Sequence, residues 1–186
     1  MQKTVYLTYP LFDLRVSNLV HEIANELKKK DIKVIVTNSF KIKRAFNERQ
    51  TVDIAIAFLR DKKIGFGVLL NENCSLINKL FNYNLSKNLN IKFPEIHWKT
   101  FDFVNKNNKY WKLFFSKVNS KINMIFFWGN EEEIEICELN LNDFIKVFVD
   151  EIVRCLRSDF DLLKYERQTK IAENKIKKIR NDGVVI

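Results

Sequence analysis

The stretch that decides the fold spans residues 4–36 and reads TVYLTYPLFDLRVSNLVHEIANELKKKDIKVIV. It starts with a short β-branched run at 4–8, which Tyr9 and Pro10 end. Apolar residues then recur at three- and four-residue steps through 16–30, and a second β-branched run follows at 32–36. This order predicts a strand, a helix and a parallel strand. Because open α/β sheets bind ligands beyond the carboxyl ends of their strands, residues 9–15 lie where a site is expected.

Periodicity predicts the later elements as well. Helices are expected at 42–62, 75–88, 110–118 and 141–156, and strands at 64–70, 99–104 and 122–128. The strand at 64–70 is apolar on both faces, which is typical of a parallel strand. Residues 131–138 are acidic and fit either a loop or an edge strand. We expect Ser17 or Asn18 to cap the first helix, and Asn142 or Asp143 to cap the last one.

Strands that alternate with helices predict an α/β fold, with three α/β/α layers, a mostly parallel (mixed) central sheet and a helical C-terminal extension. The predicted α/β domain covers residues 1–157, and residues 90–108 carry its weakest pattern. Residues 158–186 are mostly charged with scattered apolar positions, and they form the predicted charged helical extension. A solvated helix and a partner-binding or oligomerising helix both fit that composition.

The chain has an excess of positive charge, with 32 Lys and Arg against 23 Asp and Glu and a formal net charge of +9. That excess favours acidic partners such as nucleic acid, teichoic-acid-like polymers or anionic lipid. An AT-rich coding sequence would also enrich a chain in Lys, Asn, Ile and Phe, so both explanations stay open. The predicted polyanion contacts are Lys170, Lys175, Lys177, Lys178 and Arg180.

The sequence also predicts where in the cell the protein is located. No apolar run approaches the roughly 20 residues that a membrane helix requires, so no membrane span is predicted. The start, Met-Gln-Lys followed by a strand, lacks the apolar core and cleavage site of a signal peptide, which predicts a cytoplasmic location. Cys74, Cys137 and Cys155 show no CxxC spacing and fit a reducing compartment, where free cysteines pack as small apolar residues.

Few residues are suited to catalysis. The two histidines, His21 and His97, form no HExxH zinc pair, since Asn25 stands four residues after His21. No GxSxG elbow occurs, and 4 Gly in the whole chain exclude a glycine-rich phosphate loop. We therefore predict no metal and no cofactor.

Two clusters allow both a functional and a structural interpretation. The acidic run at 131–135 follows the late strand, where carboxylates can act as an acid or a base, although most acidic runs are simply solvated. Aromatic residues interleaved with lysines in the middle of the chain could stack bases or sugar rings, or could pack in the core. These aromatic residues are Trp98, Phe101, Phe103, Tyr110, Trp111, Phe114 and Phe115.

Several segments follow the order of motifs in one known family. Residues 18–27 and 32–37 look like its first helix and its "gxxVxxTR" strand, and Glu48-Arg49 with Ala55 looks like its "R-xxx-AN" helix. Residues 68–73 look like its "SIHAN" strand, and 124–130 with the last helix look like its "VExGFxSN" strand and closing helix. On these motifs the chain resembles the zinc-dependent N-acetylmuramoyl-L-alanine amidases, which hydrolyse peptidoglycan. The resemblance covers about residues 5–73 and 124–156, and implies an amidase-like α/β domain.

The sequence departs from the family at the positions that bind zinc and carry out catalysis. Its first zinc-binding His, in the motif LDPGHGG, would fall near Leu11, and its helix-opening Glu near Asp13 or Leu14. Its second His would fall at Asn71 and its catalytic Glu near Phe127. The resemblance therefore implies vestigial site positions at Leu11, Asp13, Asn71 and Phe127. One carboxylate without imidazoles cannot hold zinc in the tetrahedral site that lowers the pKa of water to about 7.

A second resemblance is confined to the opening strand and loop. Residues 5–12, VYLTYPLF, look like the "YLAGPLF" opening of nucleoside deoxyribosyltransferase-like proteins. That family's nucleophile pattern, in a "GTxxE" context, is absent because no Gly-Thr pair occurs.

These observations predict a non-catalytic amidase-like domain that acts as a binding or regulatory module with a link to the cell wall. Its partner would be an acidic polymer or a protein, and the C-terminal helix could support oligomerisation. Two alternatives stay open. One is an active peptidoglycan hydrolase or nucleoside-processing transferase, in which Asp13 and the acidic run at 131–135 must converge. The other is a basic nucleic-acid-binding or structural interaction protein.

Overall fold

The computed structural model describes residues 2–38, 50–60, 65–70, 75–101, 114 and 118–157. Within these residues six strands form one sheet. They are β1 (Thr4–Tyr9), β2 (Lys33–Asn38), β3 (Gln50–Leu59), β4 (Gly67–Leu70), β5 (Lys99–Phe101) and β6 (Val118–Phe127). The described helices are α1 (Leu14–Lys28), α2 (Leu76–Lys92), α3 (Glu131–Leu139) and α4 (Leu141–Arg157). None of these helices is long and apolar enough to cross a membrane.

The strand order across the sheet is β2-β1-β3-β6-β4-β5. β1 pairs in parallel with β2 and β3, and β3 pairs in parallel with β6. β4 runs antiparallel to β6, while β5 is parallel to β4. The sheet is therefore mixed and mostly parallel, which confirms the predicted α/β fold class.

The βαβ unit that opens the chain forms as its periodicity predicts. Its first strand pairs with β2 from Thr4 opposite Lys33 onward, and α1 crosses between them. The apolar stripe of α1 is buried, which anchors the helix to the sheet. The cap prediction is wrong, because the N-cap is Asp13 and α1 begins before Ser17 and Asn18. The buried stripe consists of Val16, Leu19, Val20, Ile23, Ala24 and Leu27.

β3 lies in the interior of the sheet, although the apolar spacing predicts a helix over residues 42–62. That prediction is wrong for residues 50–59; residues 42–49 lie outside the described part of the chain. Ile54, Ile56 and Phe58 are buried on one face of the sheet, and Ala55 and Ala57 on the other. A strand buried on both faces loses the two-residue alternation, so its apolar residues also match helical spacing.

The prediction of a parallel strand at 64–70 holds only in part for β4. This strand pairs in parallel with β5, with Gly67 opposite Lys99, and antiparallel with β6, with Gly67 opposite Phe127. The four residues of β4 are all buried because the strand lies between β6 and β5. Burial on both faces thus indicates an interior position in a sheet and leaves the strand direction open.

The acidic residues 131–138 belong to helix α3, which corrects the prediction of a loop or an edge strand. Asn130 accepts a hydrogen bond from the Glu133 backbone N–H, while the Glu133 carboxylate accepts from the Asn130 N–H. This reciprocal pair is a capping box, and acidic residues in the first turn complement the helix dipole.

The last helix begins earlier than its predicted cap. The Asn140 carbonyl accepts hydrogen bonds from the backbone N–H groups of Asp143 and Phe144. Asn142 and Asp143 therefore lie inside the first turn of α4, and the prediction that one of them caps the helix is wrong. The long apolar stripe of α4 is buried, as its spacing predicts.

The middle of the chain matches its prediction in part. The helix expected at 75–88 is α2, which Ser75 caps and which extends to Lys92. Of the strand expected at 99–104, the described part is β5, Lys99–Phe101. The prediction of a helix at 110–118 is wrong at its last residue, because Val118 is the first residue of strand β6. Residues 102–113 and 115–117 lie outside the described residues.

Two apolar clusters fill the interior. The larger one joins buried side chains from α1, α2, α3 and α4 to alternate positions of the strands, including Ile56 and Phe126. The smaller one lies on the other strand positions, such as Tyr6 and Ile125, where Phe114 packs against the sheet. Both faces of the sheet are therefore buried.

The predicted C-terminal extension, residues 158–186, lies outside the described part of the chain. The division into a domain at 1–157 and a charged helical extension stays a prediction. The same holds for the polyanion contacts at Lys170, Lys175, Lys177, Lys178 and Arg180.

Candidate functional site

One edge of the sheet collects the carboxyl ends of β1, β3 and β6 and the start of β4. The register places Leu59 beside Phe127, and Phe127 beside Gly67. The segments at 10–15, 60 and 128–131 leave the sheet here, and we call this region the carboxyl edge. It is where ligands of open α/β sheets bind, so it is the candidate site.

Asp13 makes hydrogen bonds within the loop after β1 and to the first turn of α1. The Asp13 carboxylate accepts a hydrogen bond from the Val16 backbone N–H at 3.0 Å, and the Asp13 carbonyl accepts from Ser17 at 2.9 Å. The Asp13 N–H donates to the Pro10 carbonyl at 3.4 Å. The Asp13 side chain therefore serves to start α1.

The other predicted site positions lie in different surroundings. Leu11 is 37% exposed, in the same loop as Asp13. Phe127 is 2% exposed and belongs to the smaller apolar cluster of the sheet. Asn71 lies outside the described residues. The vestigial role of these four positions stays a prediction.

Four charged side chains from three parts of the chain, α1, the end of β3 and α3, meet at the carboxyl edge. An Arg15 guanidinium nitrogen lies 2.8 Å from Glu131 Oε2, and Arg15 Nε lies 3.6 Å from Glu138 Oε1. Arg60, which follows β3, contacts the other Glu131 oxygen. We call Arg15, Arg60, Glu131 and Glu138 the edge ion-pair network. It connects the start of α1, the end of β3 and both ends of α3.

The strength of the network is limited by solvent. Side chains of Arg15, Glu131 and Glu138 are 43%, 49% and 39% exposed, and water screens such pairs to about 0–1 kcal/mol each. Arg60 is the most enclosed member, at 19% exposure. The network therefore fixes the orientation of α3 against the edge more than it stabilises the fold.

Glu133 makes a second connection at the same edge. Besides its part in the capping box, its carboxylate accepts from the backbone N–H of Phe66 at 3.2 Å, just before β4. One side chain thus links the start of α3 to the start of β4. The acidic run at 131–135 includes Glu133, but its capping role is not part of that prediction; the Asn130-x-x-Glu133 spacing of a capping box is the signal that indicates it.

Neither histidine takes part in a metal centre among the described residues. The Tyr9 hydroxyl lies 3.3 Å from His21 Nε2, and their rings make an edge contact at 5.5 Å. His97 is exposed. The described ranges contain no group of three or more His, Cys, Asp or Glu side chains arranged to hold a metal ion.

The cysteines are poor nucleophiles where they are described. Burial, with the charges of Glu133 and Glu138 adding to it, raises the pKa of Cys137 to about 12. Burial and the neighbouring Glu151 carboxylate raise the pKa of Cys155 to about 12 as well. Thiolate is the reactive form, so both thiols stay largely unreactive at neutral pH. Cys74 lies outside the described residues.

The described aromatic residues of the middle segment pack inside the protein. Trp98 is half-buried, with its ring 5.6 Å from that of Phe126. Phe114 is fully buried in the smaller cluster. These two positions support the structural interpretation of the group; the side chains of Phe101, Phe103, Tyr110, Trp111 and Phe115 lie outside the described residues.

Replacing the capping carboxylate tests the role of Asp13. We expect Asp13→Ala to lower the free energy of unfolding by about 1 kcal/mol, because the Val16 N–H loses its acceptor. Asp13→Asn is the matched control and should keep most of that stability, since asparagine caps equally well. Urea denaturation measures both variants. Equal losses in the two would contradict a capping role and point to a requirement for the negative charge.

Sheet order, helix placement and the carboxyl edge together give this chain an amidase-like α/β fold. A solved structure with a similar fold is N-acetylmuramoyl-L-alanine amidase AmiC2 of Nostoc punctiforme. The superposition has a TM-score of 0.54 and covers 84% of this chain and 98% of the amidase chain, at 9% sequence identity. No protein-family model and no curated protein sequence matches the chain. Identity this low shows the fold alone.

Zinc, which the resembled family requires, does not fit the described residues of the carboxyl edge. Leu11 and Phe127 have no donor atom in their side chains, and the Asp13 carboxylate is engaged as the N-cap of α1. A catalytic zinc needs three protein ligands and an open position for water. Within the part of the chain that the structure describes, no three His, Cys, Asp or Glu side chains are arranged to meet that requirement.

Proposed function

We propose that this chain is a non-hydrolytic amidase-like module that acts by binding or regulation. The observation that carries the proposal is the use of Asp13. Its carboxylate begins helix α1, and the alignment predicted from the sequence puts Leu11 near the place of the family's first zinc-binding imidazole. The carboxylate that the predicted alignment offers as a ligand thus serves to cap a helix.

The edge ion-pair network supports binding rather than proton transfer. Both oxygens of Glu131 are engaged by arginines, one by Arg15 and the other by Arg60. A general base needs a free oxygen within reach of a substrate proton.

The link to the cell wall rests on the fold. The similar structure is, by its name, an N-acetylmuramoyl-L-alanine amidase, and a relative that has lost hydrolysis can keep an affinity for the same polymer or for proteins that process it. We therefore propose peptidoglycan, another acidic polymer or a protein as the partner class.

The proposal is tested with purified full-length protein and isolated peptidoglycan sacculi. After dialysis against zinc, we expect less than stoichiometric bound metal and no peptide release, because the described residues of the edge contain no arranged set of zinc ligands. Metal analysis and chromatography of the soluble fraction measure these results, and a known zinc amidase is the positive control. Stoichiometric zinc together with peptide release would overturn the proposal.

The same incubation tests the cell-wall link. Sacculi are pelleted, and the protein in the pellet is compared with that of an unrelated basic protein of similar size. Retention above this control supports the link, since charge alone is matched. Retention equal to the control removes peptidoglycan from the partner class and leaves another acidic polymer or a protein.

A further inference from the structure

A cavity lies at the amino ends of three neighbouring strands, at the opposite end of the sheet from the carboxyl edge. β1, β3 and β6 run in parallel, so their first residues meet at one edge. The cavity has a volume of about 470 Å³, and small-molecule sites have roughly 300–1,000 Å³. We call it the amino-edge cavity, and the lining residues that matter below are Lys3, Thr51, Asp53, Asn119, Ser120 and Lys121.

Asp53 is the one carboxylate among the described residues that line this cavity, and donors from the chain already engage it. Its Oδ2 atom accepts a hydrogen bond from the Thr4 backbone N–H at 2.8 Å. Its Oδ1 atom accepts from Lys3 Nζ at 3.5 Å. Asp53 therefore joins the start of β1 to β3, and its negative charge is balanced by Lys3.

Lys121 supplies a second cation to the amino-edge cavity. Its backbone carbonyl accepts a hydrogen bond from Ser75 Oγ at 3.0 Å, which ties this part of β6 to the start of α2. Its side chain is exposed and pairs with no carboxylate in the described part of the chain. Two lysines against one aspartate leave one net positive charge in the described lining. A lysine ammonium binds phosphate or carboxylate as a point charge, so the cavity favours an anionic group.

Neutral hydrogen-bonding side chains accompany this charge. Thr51 and Asn119 lie opposite each other in the register of β3 and β6, and both are exposed. Ser120 also lines the cavity, and its hydroxyl is shielded from water with no hydrogen-bond partner among the described residues. Most buried polar groups have a partner, so this hydroxyl indicates room for one from outside the chain. Hydroxyl and amide groups suit a ligand that has hydroxyl groups of its own.

We propose that the amino-edge cavity binds a small polyhydroxy molecule that carries a phosphate or carboxylate group. Lys121 holds the anionic group, with Lys3 beside it, and the side chains of Thr51, Asn119 and Ser120 bond to the hydroxyl groups. This inference goes beyond the proposed function and is independent of it. It uses the opposite edge of the sheet, and none of its steps depends on the amidase likeness.

An amide-resolved NMR titration of the full chain tests the proposal with three probes: glucose 6-phosphate, glucuronate and glucose. We expect at least one anionic probe to bind with a Kd below about 10 mM, and glucose to bind at least about tenfold more weakly because it lacks the charge. The amide signals that shift should belong to residues 2–4, 51–53 and 119–121. Binding of glucose 6-phosphate alone assigns phosphate as the anionic group, and binding of glucuronate alone assigns carboxylate.

Two lysine variants separate the cavity from the general positive charge of the chain. Lys121→Gln should weaken binding of the anionic probe at least about tenfold, because the unpaired ammonium is lost. Lys87→Gln, an exposed lysine on α2, is the matched control and should leave the Kd unchanged. The proposal is overturned if neither anionic probe binds, if glucose binds equally well, or if the two variants have the same effect.

Discussion

Phe144→Ala should lower the free energy of unfolding by about 3–5 kcal/mol, the largest loss expected from one substitution in the described core. Phe144 is 1% exposed and sits among aromatic rings on the helix side of the sheet. Its ring centroid lies 4.7 Å from Trp128, 5.8 Å from Phe148 and 5.9 Å from Phe93. Truncation removes these contacts and leaves a cavity that rigid neighbours cannot fill.

Urea denaturation of Phe144→Ala, Phe144→Leu and Phe12→Ala measures the free energy of unfolding. It distinguishes the loss of packing in the core from the effect of removing any phenylalanine. Phe144→Leu keeps much of the volume and should cost less than the alanine variant. Phe12 is 86% exposed, so Phe12→Ala should change stability by less than about 0.5 kcal/mol. A Phe144→Ala loss below about 1 kcal/mol would mean that the cluster is not a rigid core.

The parts of the fold that could be predicted are those with a clear period. The stripe of α1 repeats at three and four residues because one face packs on the sheet and the other meets water. The same holds for α4. Each of these apolar stripes lies within one helix, so the spacing of residues in the sequence is enough to predict it.

β3 shows why the rest could not be predicted. Its position inside the sheet buries both faces, and tertiary packing rather than local preference decides that it is a strand. The prediction for the segment that forms helix α3 is wrong for another reason. Its glutamates have the composition of a solvated loop, and the signal for a helix is a capping box that depends on only two residues, Asn130 and Glu133.

The location of the candidate site was predictable, but its contacts were not. Residues 9–15 follow from the carboxyl-edge rule, which needs only the strand order. The edge ion-pair network joins Arg15 to Glu131 across 116 positions and Arg60 to Glu131 across 71. Such pairs follow from the full topology, and no spacing in the sequence indicates them.

Gly129→Ala is the second substitution with a large expected effect, a loss of about 2–4 kcal/mol in the free energy of unfolding. Gly129 follows β6 at the carboxyl edge and has a φ of +32°, which side chains with a Cβ rarely adopt. A Cβ there would come within 2.5 Å of the Phe66 ring, which is fully buried against Trp128. The ring has no free space to move into, so the backbone must shift.

Gly65→Ala is the control, because Gly65 also has a positive φ, +75°, at the same edge. Its Cβ would meet the Glu133 carboxylate at 3.0 Å, which can shift by a few tenths of an ångström at the expense of its hydrogen bonds to Phe66 and Asn130. We therefore expect a smaller loss, about 1–2 kcal/mol, from the backbone conformation and the weakened hydrogen bonds. Thermal and urea denaturation rank the two variants. If Gly65→Ala costs as much as Gly129→Ala, backbone conformation rather than the Phe66 contact governs both, and the tight packing of the edge against β4 is not what excludes a side chain at 129.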